Sequence, residues 1–478
     1  MATTTVSIGS NQNIDTETPA SSTGSGPSYV VTFGTTPSGI YVGDIGVMDT
    51  FRWDDETESQ YTFLVTAISG ANITLKYCTD SEGFGDASPY GLYSTAGSSG
   101  SPVQATMTFK RAFSTITLFE GMIDDSSPTL FGTTDDVVGE LHADSTFTDN
   151  DVNFNSKQSL SSVTLSVYSE DRHNGTAESG ALIKPTSRGT HSHGLIQVQI
   201  DGMTIEWLDI SLASVPNRSG STTSQNQGIR IVGNNIDDLI IRNNLIHDCS
   251  GDKGDAGNSG IAASTDGGLG NTWSIMNNII YNFVETNSDS CSGIVCRKYK
   301  GTFYIYNNTI YKITGHGGSK DAIGIRVGYH SGMTYLYIKN NIVAGLSASD
   351  DKYAYDIQSA VSNKSVSNNL SDDTSDSSRN AQNMGRSYDT TTNPGALVGK
   401  TLSEIDFNED DVTASVDLHI GTSSVCRQAG VDLGTTNGVN IDIDGFDRDA
   451  NGVTWDMGAD QTANDTTTTS PAFLMFVD

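Results

Sequence analysis

The chain has 478 residues, more than one ordinary globular core holds. Its 57 acidic and 26 basic residues give a formal net charge of −31 at pH 7, which argues against binding to nucleic-acid phosphates or to an anionic membrane surface. Charged residues make up only 17% of the sequence, and its 50 glycines accompany abundant Ser, Thr, Asn and Asp. This composition is typical of an all-β protein with many turns.

The cysteines and the apolar runs indicate where the protein is made. Five cysteines at irregular spacing predict buried free thiols, although Cys291 and Cys296 could pair. No apolar run approaches the ~18 residues of a membrane span, and the first residues lack the pattern of a secretory signal. We therefore expect synthesis in a reducing cytoplasm and no membrane insertion.

Two N-terminal regions precede the informative part of the chain. Residues 1–27 are rich in Ser, Thr and Gly without periodicity, which predicts a flexible or partner-ordered arm. Residues 28–100 contain short strand-like runs, among them Tyr29–Phe33 and Ile73–Tyr77, which predict a small β domain that could serve as an attachment module. The Ser- and Gly-rich stretch 94–100 is predicted to be its linker.

The region 101–380 contains an internal repeat. An Asn-Asn pair recurs at intervals of 28 to 34 residues, beginning at Asn243–Asn244. An apolar residue stands two positions before every pair, whereas the residue just before the pair varies and is mostly polar. This alternation predicts a strand with one buried face. The predicted inward residues are Ile241, Ile275, Ile305, Ile338 and Val366.

A second strand signal, glycine followed by isoleucine, falls about half a repeat earlier, as in Gly260–Ile261 and Gly293–Ile294. Each repeat therefore holds two or three short strands, and its connectors lack helical periodicity. Stacking such coils with a rise of about 4.8 Å gives a parallel β-solenoid. We predict that the solenoid spans 101–380 and that 381–478 form a C-terminal cap and tail.

The first asparagine of each pair is predicted to have a structural role. A corner between two strands needs a residue that tolerates the left-handed αL conformation, which Asn does. Its amide both donates and accepts, so stacked amides can form a hydrogen-bonded ladder. The preceding coil carries Trp207–Leu208 instead, so the ladder is expected to begin one coil later. The predicted members are Asn243, Asn277, Asn307, Asn340 and Asn368.

The repeat region resembles the right-handed parallel β-helix superfold, which is the architecture of pectate lyases and many phage tailspikes. The C-terminal region is similar to the closing segment of bacterial and viral β-helix repeat proteins. In those proteins an Asp-x-Asp-Gly-x-x-Arg stretch, here Asp442 to Arg448, precedes Asp-x-Gly-Ala, here Asp456 to Ala459. The resemblance implies the fold much more directly than it implies a function.

A calcium site is one interpretation of the turn that contains Asp447, Asp449 and Asn451, which matches the first half of an EF-hand loop. Gly458 stands where the bidentate Glu of such a loop would be. The alternative is a turn closed by ion pairs, in which Arg448 neutralises Asp442 or Asp444. We predict that no cofactor is required and keep Ca²⁺ as an open prediction.

Catalytic candidates lie in the connectors between strands, but none forms a recognisable motif, and we predict no catalytic residue. A polysaccharide lyase needs a base, and a hydrolase needs two carboxylates about 5–10 Å apart. The histidines of 191–193 and His316 lack a third ligand at useful spacing. The basic candidates are Lys253, Arg297, Lys298, Lys320 and Arg326, and the acidic ones are Asp248, Asp252, Asp255, Asp266 and Glu285.

Tyrosines on neighbouring coils are the more suggestive feature. Aligned rings can stack on sugars, or they can form a contact between subunits. Plain packing between adjacent strands is the third interpretation. The tyrosines concerned are Tyr304, Tyr306 and Tyr337, with Tyr281 and Tyr311 nearby.

The function expected from these features is a structural or adhesive β-helix protein, displayed on a virion surface as a tail fibre, spike or head fibre. Its expected contacts are host-surface glycans, and other virion or scaffold proteins reached through the N-terminal region and the apolar tail 471–478. We expect a homo-oligomer and no nucleic-acid partner. The alternative is an extracellular polysaccharide lyase or glycoside hydrolase of the same superfold.

Overall fold

The computed structural model describes most of the chain as an all-β protein. Within the described parts, no helix is long and apolar enough to cross a membrane. The described residues are 2–11, 13–17, 19–25, 28–51, 58–78, 106–124, 134–187, 194–213, 226–233, 236–251, 257–263, 271–286, 290–296, 301–316, 321–328, 333–349, 351–357, 363–372, 394–412, 416–450 and 454–462.

Three long parallel sheets form the body of the molecule, which is therefore a parallel β-helix, as predicted. Sheet 1 has nine strands: Thr3–Ile8, Asp136–Leu141, Ser162–Val167, Met203–Glu206, Leu239–Arg242, Asn271–Met276, Gly301–Tyr306, Met333–Lys339 and Asn363–Ser367. Sheet 2 has eight: Leu182–Ile183, Asp209–Ser211, Leu245–Gly251, Ile279–Glu285, Thr309–Thr314, Ile342–Ala344, Leu370–Ser371 and Leu397–Val398. Sheet 3 has seven: Val152–Phe154, Ile196–Val198, Gln227–Ile231, Ser259–Ala263, Cys291–Cys296, Ala322–Val327 and Lys352–Ile357.

Each coil runs from sheet 1 through the Asn-Asn corner to sheet 2, then to sheet 3 and on to the next coil. The predicted inward column is in register: Ile241 pairs with Ile275, which pairs with Ile305, and so on to Val366. Ile305 and Ile338 are fully buried. Burial of one such side chain contributes about 1.5–3 kcal/mol, so the column is a main source of stability.

Glycines on sheet 3 let the sheet 2 isoleucines reach the centre of the coil. A Cβ on Gly260 would lie 2.5 Å from Cγ2 of Ile280, and one on Gly293 would lie 2.7 Å from Cγ2 of Ile310. Side chains do not tolerate such approaches, so glycine is required for close packing here. This explains the glycine that precedes isoleucine in the second strand signal.

An antiparallel sheet of seven strands covers the N-terminal end of the β-helix. The helix Ile116–Asp124 and two apolar residues of the sheet, Ile45 and Leu64, join the core of the β-helix, with Phe119 fully buried against Phe154. Most other apolar residues of the sheet form a separate buried cluster. The predicted small domain thus extends on both sides of 28–100, while the predicted linker 94–100 lies outside the described residues. The strands are Asp15–Glu17, Pro19–Ser25, Ser28–Phe33, Ile45–Phe51, Glu58–Ser69, Asn72–Tyr77 and Met107–Lys110.

The described part of residues 1–27 is not the arm that the sequence predicts. Thr3–Ile8 is the first strand of sheet 1 and pairs in parallel with Asp136–Leu141. Val6 and Ile8 are fully buried and alternate with the polar residues Thr5 and Ser7, as apolar and polar residues do in the later coils. Only two large apolar residues carry that signal, which the surrounding Thr and Ser residues hide.

The C-terminal region packs along the side of the β-helix and does not only cap its end. It contains the helix Leu402–Ile405, which begins with a capping box at Thr401 and Glu404, and the antiparallel strands Phe407–Glu409 and Asp417–Ile420. Leu418 and Met457 join a buried cluster with Leu245 and Ile279 on the outer face of sheet 2. The tail 471–478 lies outside the described residues.

Candidate functional site

The amide ladder runs through the second asparagine of each pair, so the prediction that the first one forms it is wrong. Each Nδ2 donates to the Oδ1 of the next coil, and each backbone N–H donates to the same oxygen. The four Nδ2–Oδ1 distances are 2.9, 3.0, 2.9 and 2.8 Å along Asn244, Asn278, Asn308, Asn341 and Asn369.

The first asparagines adopt the αL conformation, as expected, with φ between 52° and 59°. Their amides donate to backbone carbonyls of residues 429–442, which we call the return segment because they run back along the corner. The two asparagines of a pair thus act differently, because the αL conformation turns the side chain of the first one out of the coil. The contacts are Asn243 to Ile441 (3.1 Å), Asn277 to Ile441 (2.6 Å), Asn307 to Val439 (3.2 Å), Asn340 to Val431 (2.8 Å) and Asn368 to Ala429 (2.9 Å).

The coil before the ladder has the predicted substitution. Trp207 occupies the αL position with φ 62°, and the backbone N–H of Leu208 donates to Asn244 Oδ1 at 3.1 Å. Asn244 is therefore the first member of the ladder.

Two of the five candidate tyrosines are covered by protein. Tyr281 and Tyr311 are 3% and 0% exposed on the outer face of sheet 2, beneath the C-terminal region. Tyr281 stacks on His247 with ring centroids 5.2 Å apart, and Tyr311 meets the edge of Phe407 at 5.4 Å. Burial raises the pKa of both phenols well above the usual value. Neither ring is available to a ligand in solution.

Sheet 1 carries an open aromatic surface. The rings of Tyr304 and Tyr337 stack on adjacent coils, 5.0 Å apart and 11° from parallel. Tyr335 lies 6.4 Å from Tyr337 at 17° and is 45% exposed. Tyr335 was not among the predicted tyrosines, although strand alternation places residues 335 and 337 on one face. We call Tyr304, Tyr335 and Tyr337 the tyrosine strip.

Tyr306 belongs to the border of this surface. It packs against Met276, Val439 and Trp455, which join sheet 1 to the C-terminal region. It also lies 5.7 Å from Tyr304. Tyr306 thus joins the tyrosine strip to the packed contact between sheet 1 and the C-terminal region.

Small polar residues border the strip. Tyr337 pairs in register with Ser365, and Tyr335 pairs with Asn363 on the next coil and with Thr302 on the previous one. Serine is much smaller than tyrosine, and Tyr337 beside it is partly exposed. The surface offers ring faces, hydroxyls and amides, which are the groups that bind sugars.

The described catalytic candidates are committed to ion pairs or buried. Arg326 is 4% exposed and donates to Asp321 at 3.0 Å and to Asp356 at 2.6 Å. Glu285 is fully buried, and Asp248 bonds to His247. The remaining candidates and the histidines of 191–193 lie outside the described residues: Lys253, Arg297, Lys298, Lys320, Asp252, Asp255 and Asp266.

A buried histidine between two carboxylates was not predicted. His247 is 1% exposed, and its two ring nitrogens lie 2.8 Å from Asp209 and 2.8 Å from Asp248. Burial lowers the pKa of His247, but the hydrogen bonds to both carboxylates outweigh burial and raise it to about 9. The charged ring of His247 in this cluster stacks against the ring of Tyr281. No sequence spacing reveals it, because Asp209 comes from the preceding coil.

The C-terminal motif forms a tight acidic cluster. His419 contacts Asp417 and also Asp444 at 3.0 Å, and Asp460 lies close enough to share a metal ion with His419 and Asp444. Burial lowers the pKa of His419, but the carboxylates raise it to about 11. His419 in its protonated form balances the charge of the carboxylates around it, so the cluster is explained by ion pairing.

The predicted calcium ligands are engaged by the protein itself. Asp447 Oδ1 accepts from Asn440 Nδ2 at 2.8 Å, and Asp449 Oδ1 accepts from Trp455 Nε1 at 3.0 Å. Asn451 lies outside the described residues. Arg448 is fully buried and donates to the carbonyls of Gly458 and Ala459, at 2.9 and 2.8 Å. Arg448 therefore joins the first stretch of the C-terminal motif to the second, at Gly458 and Ala459.

The fold and the exposed surface define a parallel β-helix with an aromatic face. No protein-family model, curated protein or solved structure matches this chain.

Proposed function

We propose that the protein is a structural and adhesive β-helix that binds glycans along the tyrosine strip. The observation that carries the proposal is the stacked pair Tyr304–Tyr337 next to the exposed Tyr335, on a sheet face bordered by serine, threonine and asparagine. The apolar face of a sugar ring packs on an aromatic ring, while its hydroxyls bond to neighbouring polar groups.

The rigid support favours binding over simple packing. Each tyrosine stands on a strand whose inward residues are buried, such as Leu336 and Ile338. Aromatic side chains on a fixed sheet lose little conformational entropy when a ligand arrives. Repetition along adjacent coils also suits an extended, repeating ligand.

The enzyme alternative receives less support from the described residues. A catalytic acid or base must reach its substrate, whereas Arg326 and Glu285 are nearly or fully buried. Incubation of candidate polysaccharides with the protein, followed by assays for unsaturated products and new reducing ends, separates the two functions. Turnover would overturn the adhesive proposal.

Binding is tested with the full chain on an array of neutral and acidic glycans. We expect Tyr337→Ala and Tyr335→Ala to lower the affinity for a bound glycan at least tenfold, without product formation. Leu118→Ala is the matched control, because Leu118 is 54% exposed on the helix Ile116–Asp124. Unchanged binding by a folded Tyr337→Ala variant would contradict the proposal.

The setting that we propose is a virion surface, in line with the resemblance to phage β-helix proteins. There the protein would be a homo-oligomer attached through its N-terminal region or its C-terminal tail. Mass spectrometry of purified particles should detect its peptides, and native mass spectrometry should give its oligomeric state. Peptides confined to the soluble fraction and a monomeric mass would contradict this setting.

A further inference from the structure

We infer that a cleft beside Trp207, separate from the tyrosine strip, binds a hydroxycarboxylate, the chemistry presented by one acidic sugar residue. The inference rests on the proposed glycan binding and specifies a ligand class for it. The cleft has a volume of about 160 Å³ and lies where the return segment meets the first Asn-Asn corner. Its lining residues are Arg172, Glu206, Trp207, Arg242, Asn243 and Ile441.

The terminal guanidinium nitrogens of Arg172 are hydrogen-bond donors that the described residues leave unused. Its guanidinium carbon lies 4.6 Å from the centre of the Trp207 ring, and its Nε donates to the Val167 carbonyl at 3.3 Å. Among the described residues, its two terminal nitrogens have no acceptor. Burial lowers the pKa of Arg172, because Glu206 and Glu140 only partly offset the loss of water. A carboxylate is the acceptor that matches a guanidinium fork.

Asn243 supplies an acceptor without a donor. Its Nδ2 is bonded to return-segment carbonyls, whereas its buried Oδ1 has no partner among the described residues. The corresponding oxygens of Asn277 and Asn307 are also orphaned, but those residues do not line the cleft. A hydroxyl group at this wall would give Asn243 the missing hydrogen bond, which is valuable in a buried place.

The remaining charges of the cleft are already balanced or peripheral. Glu206 accepts from Arg242 at 2.6 Å and from Ser166 at 2.9 Å. Glu140 interacts with Arg172 through charge alone, so a ligand carboxylate competes with it. A cleft of about 160 Å³ has room for a ligand the size of one sugar ring.

Four small ligands test the inference by calorimetry and ligand-observed NMR: galacturonate, N-acetylneuraminate, lactate and galactose. We expect the two acidic sugars to bind and galactose not to occupy the cleft. Arg172→Leu should weaken the binding at least tenfold, and Arg172→Lys should do so too, because lysine keeps the charge without the fork. Lys364→Met removes an exposed positive charge elsewhere and should have no effect.

The outcomes separate this inference from the proposed function. Thermal unfolding first checks that each variant folds. If Arg172→Leu binds acidic sugars as the parent does, the cleft is not their site, while loss of array binding by Tyr337→Ala still supports the tyrosine strip. If lactate binds as tightly as galacturonate, the sugar ring contributes nothing, and the inference that the ligand is an acidic sugar is wrong. If neither Arg172→Leu nor Tyr337→Ala weakens binding, both proposals are contradicted.

Discussion

Asn308 donates from Nδ2 to Oδ1 of Asn341 across 2.9 Å, and the same nitrogen also donates to the carbonyls of Ile275 and Tyr306 at 3.0 Å. The side chain therefore links three consecutive coils in a fully buried place. Its neighbour Asn307 makes one bond to the return segment. The pair allows a direct comparison of two asparagines that are adjacent in sequence.

Asn308→Ala should lower the free energy of unfolding by about 3–5 kcal/mol, because it leaves several buried donors and acceptors without partners. Asn307→Gly should cost only about 1 kcal/mol, since glycine keeps the αL backbone and only one bond is lost. Denaturant unfolding of both variants measures the difference. Equal losses would show that the ladder contributes no more than the corner geometry.

The charge of His247 should make stability depend on pH. Its folded pKa of about 9 lies above the ordinary 6.5, so its contribution is complete below about pH 6.5 and disappears as pH rises through about 9. Asp209→Asn should lower the His247 pKa, as NMR titration can measure, and flatten this part of the stability curve. The variant His316→Gln, at an exposed histidine, should retain the full pH dependence.

The carboxylate of Glu140 should oppose ligand binding in the cleft. Burial raises the pKa of Glu140, with His142 and Arg172 acting against the rise and Glu206 adding to it. We expect Glu140→Gln to tighten galacturonate binding about threefold to tenfold, since roughly 1 kcal/mol of competition for Arg172 disappears. In the parent, affinity should rise as pH falls through the raised pKa. Glu178→Gln is the control, and weaker binding by Glu140→Gln would contradict the role of Arg172.

Removal of calcium should leave the C-terminal turn intact. Asp447 and Asp449 are bonded to Asn440 and Trp455, so we expect the melting temperature to change by less than about 1 °C when EDTA is added. A drop of several degrees, restored by Ca²⁺ and absent in Asp449→Ala, would establish the predicted ion.

The repeating part of the fold was predictable because it is local. Ile241 and its counterparts occur once per coil, and strand alternation alone assigns them to the interior. The αL corners followed from the same columns. The choice between the two asparagines did not, since both have the same side chain and only the backbone conformation distinguishes them.

The candidate site was only partly predictable, because its exposure depends on contacts far apart in sequence. Tyr281 and Tyr304 look alike as outward residues of a coil. Only the C-terminal region, which covers sheet 2 and leaves part of sheet 1 open, separates them. The cleft likewise needs Ile441 beside Asn243, a contact across nearly 200 positions that no periodicity encodes.

The return segment changes how this protein should unfold and be synthesised. A solenoid with contacts only between neighbouring coils can unzip from either end. Here residues 429–442 accept hydrogen bonds from five coils, so opening of an end coil must also break its bond to the return segment. During synthesis these bonds can form only after residue 442 has been made, although the coils that they join are complete well before it.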